Sequence, residues 1–198
     1  GAFVRSMPGA NRPDTQLYMG AFSYERTEGT RPVQLSTPDK EPGITIYGQL
    51  LNLTSEGEVM IGSADPDIPP AITPNWLQTE YDQKAVIQMV KTMRRFVRET
   101  GASRYFAEEL IPGSHVRTDE EILDAVLHGA TSGLHGTGTC RMGKEGEAPV
   151  SPEGEVWGVR NLRVVDASLM PEITNGNLNA VVIMMAEKIA AQMLGVAV

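Results

Sequence analysis

The 198-residue chain has a single cysteine, Cys140, so it can form no internal disulfide and no Cys-x-x-Cys metal knuckle. Positive charge is also scarce. Seventeen Lys and Arg stand against twenty-five Asp and Glu, a net charge of −8, and no general basic field draws in a phosphate backbone. Long apolar runs are missing too: charge-free stretches such as residues 180–186 fall far short of the roughly 20 residues a spanning helix needs. The chain therefore reads as soluble. What is present, 41% hydrophobic and 21% charged side chains, is enough for a core in one large or two small domains and speaks against a wholly disordered chain.

The compartment is weakly marked. Asn52-Leu53-Thr54 fits a glycosylation acceptor, but an ordinary turn gives the same three letters, and the working assignment is cytoplasmic. The sequence opens on Gly1 without a basic-then-apolar leader, which is read as a natural beginning removed by processing or trimming.

Residues 16–24 and 44–51 are short runs rich in aromatic and β-branched side chains between Gly, Pro and Asp clusters, the pattern of strands. On the second, Ile44, Ile46 and Gly48 share one face and Thr45, Tyr47 and Gln49 the other. Thr54-Ser55-Glu56-Gly57 offers turn chemistry before Glu58-Val59-Met60-Ile61, predicting that the second strand folds back on a third. Four prolines between residues 65 and 74 predict a loop. Val86, Val90, Met93 and Val97 recur at three- and four-residue steps on a helix ending near Gly101, whose Lys91, Arg94, Arg95 and Arg98 read as a solvated face. Thr118 and Glu121 form a capping box opening a second helix. Residues 162–166 resemble a short buried strand ending in Asp166, and residues 178–194 an apolar helix stopped by Gly195.

Three segments stand out chemically. His135-Gly136-Thr137-Gly138-Thr139-Cys140-Arg141-Met142-Gly143 sets a histidine at the head of a glycine-rich run that lets the backbone approach another surface closely. By spacing alone it is no dinucleotide fingerprint, and a plain turn or a phosphate cradle both remain open. Asp166, at the end of its strand, is followed by Ala167, Ser168 and Pro171. Asn175-Gly176-Asn177-Leu178-Asn179 then leads into the apolar helix. A strand end bearing a carboxylate and a helix start bearing free amides suit polyhydroxyl and phosphate groups, while a turn acid and a helix cap are the plainer roles of Asp166 and Asn177. His115, His128 and Cys140 read as structural.

Together these three ordered motifs, with Ala186-Glu187-Lys188-Ile189-Ala190, resemble the C-terminal portion of the glucose-methanol-choline family of flavin oxidoreductases, in its choline-dehydrogenase-like branch. The resemblance implies an α+β substrate-binding domain over residues 1–133, an antiparallel sheet with flanking helices. It implies that residues 134–198 carry the active-site motif and the C-terminal strand-helix part of an FAD-binding domain. It implies FAD as cofactor, no metal, and oxidation of an alcohol carbon with hydride passing to flavin N5. His135 matches the family's histidine, a base near neutrality, and Asn177 the second active-site position, where an amide can hold the hydroxyl but not move its proton. Asp166, Ala167 and Asn179 match positions lying against FAD.

One family element is lacking. The Gly-x-Gly-x-x-Gly strand-turn-helix that holds the cofactor's pyrophosphate is not found here, so the chain is expected to be the last two-fifths or so of an enzyme. The expected partner is an N-terminal FAD-binding part, without which FAD is held poorly, alongside a small alcohol substrate. A non-catalytic interaction module or a lyase on the same scaffold, as the family's hydroxynitrile lyases exemplify, is the alternative.

Overall fold

A computed structural model describes residues 1–24 and 37–196. These residues form an α+β structure of two compact units: Gly1–Ser55 with Asn75–Gly133, and Glu56–Pro74 with Leu134 onward. The chain leaves the first unit at Ser55 and re-enters it at Asn75.

In the first unit β1 (Ala2–Val4), β2 (Thr15–Gly20) and β3 (Thr45–Leu50) form an antiparallel sheet in that order, with Leu17 opposite Gly48 and Tyr18 opposite Tyr47. α1 (Glu80–Glu99) packs over β3 with Ala85, Val86, Met89 and Val90 buried. Gly48 permits this approach: a Cβ there would stand 2.5 Å from Met89 Sδ. α2 (Asp119–Gly129) closes the core with Ile122, and the capping box forms as its sequence dictates, Thr118 Oγ1 accepting from the Glu121 amide and Glu121 Oε2 from the Thr118 amide. α1 starts at Thr79, whose hydroxyl accepts from the Asp82 amide, and ends before Gly101 in the left-handed region.

Two expectations about strands need correction. β4 (Glu58–Met60) does not pair with β3; it pairs with β5 (Ala71–Thr73) in a separate antiparallel ribbon, Val59 opposite Ile72. The proline-rich segment is thus not wholly loop, because Ala71, Ile72 and Thr73 lie between Pro70 and Pro74 and keep their amide donors. Residues 162–166 form no strand. Their backbone is satisfied by a tight loop, Val156 N donating to Leu162 O and Val164 N to Gly154 O, and that loop is too short to build a ladder.

In the second unit α3 (Asn179–Leu194) ends at Gly195, whose φ of +68° is the left-handed stop the sequence announces. Its buried Met185 and Ile189 share a core with Leu178, Val150, Leu169 and Met170. Among the described residues no helix is long and apolar enough to cross a membrane.

Candidate active site

All three motif segments belong to the second unit. The glycine-rich segment forms neither helix nor strand from His135 to Gly138 and turns at Thr139 and Cys140. It is then stitched to the segment after Asp166 by main-chain bonds, Cys140 N to Ser168 O (3.1 Å) and Met142 N to Leu169 O (2.9 Å). Gly138 has a φ of +87°, which a side chain would resist, and its missing Cβ would lie 3.7 Å from Met170 O. At Gly138 the backbone angle calls for glycine, at Gly143 a Cβ would stand 2.8 Å from Ala148 Cβ, and Trp157 Nε1 extends the bracing by donating to Gly143 O.

Asp166 heads a single 3-10 turn, Ala167–Leu169, its Oδ1 accepting from the Ser168 amide and hydroxyl. The turn role anticipated for this acid is real, and the carboxylate remains exposed. Leu169 and Met170, next along the chain, are buried with Cys140, Met142 and Ala167 against the core of α3. Cys140 is thus a packing residue.

Asn177 and Asn179 stand either side of Leu178, which is buried while both asparagines are exposed. The helix cap is Leu178 with no side-chain capping bond, so Asn177 is not the cap that its type invites. Asp166, Asn177 and Asn179 lie close in the chain to Leu169 and Leu178, which are buried in one core, and the convergence of the three segments is carried by that core and by the main-chain bonds. His135 itself is half-buried.

Two features here have no clear signature in sequence. Leu134, just before His135, has a φ of +58°, a backbone state that leucine enters at a cost, and it is highly exposed. Thr174 Oγ1, in the loop between the Asp166 turn and α3, is buried without a hydrogen-bond partner among the described residues. The buried hydroxyl, the exposed carboxylate and the helix start that follows them form a polar set suited to a large cofactor with hydroxyl, amide and phosphate groups. The other histidines have plain roles: His128 Nδ1 lies 2.8 Å from Asp124 O on the exposed side of α2, and the His115 ring packs where a Cβ on Gly113 would be.

The family model described as GMC oxidoreductase matches residues 54–186. The chain belongs to the GMC oxidoreductases. This GMC chain is 38% identical to the mitochondrial choline dehydrogenase of Mus musculus over 192 residues, 96% of its own length and 31% of the relative's. The structure of pyridoxine 4-oxidase from Mesorbium loti superposes with a TM-score of 0.83 at 25% identity, covering all of this chain and 38% of that one. A structure of the Aspergillus oryzae RIB40 formate oxidase, determined to follow its FAD modification, superposes with a TM-score of 0.76 at 25% identity over 92% of this chain and 32% of that one. FAD is the family's cofactor. The chain spans about a third of the length of the curated relatives it matches.

Proposed function

We propose that this chain is the catalytic and substrate-binding part of an FAD-dependent oxidoreductase that oxidises a primary or secondary alcohol. The observation that carries the reading is the docking of the His135 segment on the Asp166 turn and of both on the core beneath Asn177 and Asn179, within a GMC chain. When bound, FAD supplies the acceptor for the two electrons and the hydrogen that leave the alcohol carbon.

The chain's own residues have distinct tasks. His135 takes the hydroxyl proton, making the carbon a better hydride donor, an effect of roughly 10²–10⁴ in rate. Asn177 fixes the hydroxyl and the charge developing on its oxygen by hydrogen bonding. Asp166, Ala167, Asn179 and the first-turn amides of α3 hold the cofactor, the acid through hydroxyl groups and the amides through acceptor oxygens. The rest of the cofactor site lies in a further FAD-binding part, corresponding to the remaining length of the relatives. Names among the relatives and neighbours include choline and pyridoxine, both alcohols, so the reading stops at the class of CH–OH donors.

The test is His135→Ala in the complete enzyme. Anaerobic flavin reduction by alcohol should slow by about 10² or more with flavin still bound, and Asn177→Ala should cost less. Wild-type reduction in the histidine variant refutes the base, and greater damage in Asn177→Ala exchanges the two roles. A colourless protein that takes up no flavin points to a non-catalytic module, and flavin that alcohol never bleaches points to lyase chemistry.

A further inference from the structure

The basic cluster on α1, a solvated face at Arg95 and Arg98, also borders a hollow. Gln88, Lys91, Arg95 and Arg98 follow one another at three- and four-residue steps, with Thr92 four residues after Gln88, on a side of the helix away from the buried Val86, Met89 and Val90. With Ser6 from the connection after β1 they line a cavity of about 300 Å³, the lower end of the size range of small-molecule sites. No carboxylate lines it.

The cations divide into two kinds. Arg94, at the edge of the cavity, is committed: it holds Glu109 through two nitrogens and donates to the carbonyls of Gly113 and Val116. Lys91 shares its charge with Asp119. Arg95 pairs with no carboxylate among the described residues, and Arg98 has only an exposed 3.4 Å contact with Glu99. The Gln88 and Thr92 side chains likewise have no hydrogen-bond partner among the described residues. The Ser6 hydroxyl is spent on Asp14, which leaves two guanidinium forks, a shared ammonium and two neutral donors around one hollow.

We infer that this cavity binds a small phosphate-bearing anion, either inorganic phosphate or the phosphate of a small ester. Guanidinium groups present paired donors that match the oxygens of such a group, and an ion held by two of them gains charge-assisted hydrogen bonds. The chain's net charge of −8 opposes approach from afar, but at physiological salt that field is screened beyond about 8 Å, so the local cations decide.

The experiment titrates the purified protein with inorganic phosphate and, separately, with glycerol phosphate, against sodium chloride at matched ionic strength, following heat by calorimetry. Saturable binding is expected with a dissociation constant of order 1 mM, weakening as salt rises. Arg95→Ala combined with Arg98→Ala should weaken it by about tenfold or more, and Arg95→Lys with Arg98→Lys should keep a measurable part, since the charge stays while the fork is lost. Tighter binding of glycerol phosphate than of phosphate identifies an ester as the natural ligand, and equal or weaker binding identifies the free ion. No saturable heat with either, or heat unchanged in the double alanine variant, overturns the site. Binding only to vesicles containing phosphatidylserine also overturns it, because the surface then serves a membrane.

Discussion

Asp82 offers the sharpest test of what holds the first unit together. Its side chain is fully buried one turn into α1, and its carboxylate accepts from the Thr54 amide (2.9 Å), the Thr54 hydroxyl (3.0 Å) and the Ser55 amide (2.8 Å). Ser55 Oγ in turn accepts from the amides of Gln78 and Thr79. Asp82 therefore staples the point where the chain leaves the first unit to the point where it returns. Replacing it by Ala removes the acceptor of two part-buried amides, since the Thr54 hydroxyl keeps Thr79 Oγ1 as a partner at 2.6 Å. At about 1–3 kcal/mol for each unsatisfied group, the expected loss is about 3 kcal/mol. That corresponds to a urea midpoint lowered by about 1–2 M. Native-state hydrogen exchange on peptides covering residues 50–60 should show the two amides deprotected by about 100-fold.

The pH dependence gives the same residue a second readout. Burial alone would raise the Asp82 pKa, but the hydrogen bonds from Ser55 and Thr54 outweigh it and hold the group below the usual aspartate value. A carboxyl whose folded value is depressed contributes stability that is complete above its unfolded value, about 3.9, and is lost as pH falls through the folded one. The gap between wild type and Asp82→Asn should therefore be constant from neutral pH down to about pH 5 and narrow below about pH 4. A loss within about 0.5 kcal/mol for Asp82→Ala, the size of an ordinary surface change, refutes the staple. So does a gap that fails to narrow in acid.

Two more expectations follow from single contacts. Arg94→Ala should cost about 2 kcal/mol, because the half-buried guanidinium bridges Glu109 and two carbonyls; Arg94→Lys should recover less than half, and full rescue by Lys in urea melts would show that charge alone matters. Gly154→Ala should cost about 2 kcal/mol, since φ is +79° and the new Cβ would sit 3.0 Å from Val164 O and 3.1 Å from Ile189 Cδ1 under α3; an unchanged thermal midpoint would mean that the loop and helix yield freely.

How much of this was legible in the letters depends on the range of the interaction. Helix boundaries are local chemistry, and Thr118 with Glu121, or Gly195 after Leu194, announce them within one turn. Strand pairing is not local. Nothing near Glu58 says that its partner is Thr73, fifteen residues on, rather than β3, and counting prolines hides the three donors between Pro70 and Pro74. The site divides in the same way. The residue types of His135, Asp166 and Asn177 are visible in order, but the bonds from Cys140 N and Met142 N that dock one motif on another are main-chain contacts with no side-chain signature. Leu134 in the left-handed region is invisible for a related reason: leucine is a poor choice for that backbone, so tertiary structure alone imposes it.

The pattern of burial around the site bears on what completes it. Leu178 is buried and Asn177 and Asn179 beside it are exposed; Leu169 is buried and Asp166 at the head of the same turn is exposed. α3 meanwhile leaves Ile183, Met184, Met193 and Leu194 in water, although apolar surface is favoured inside by about 25 cal/mol per Å². Polar groups held by a firm core yet turned outward, on a helix with apolar side chains uncovered, suit the proposed role as one part of a larger cofactor site. A further FAD-binding part, as proposed, would cover the apolar side chains and receive the polar ones in a single association. On that proposal, cofactor affinity and burial of α3 are two readings of the same contact, and substitutions in this chain alone would restore neither.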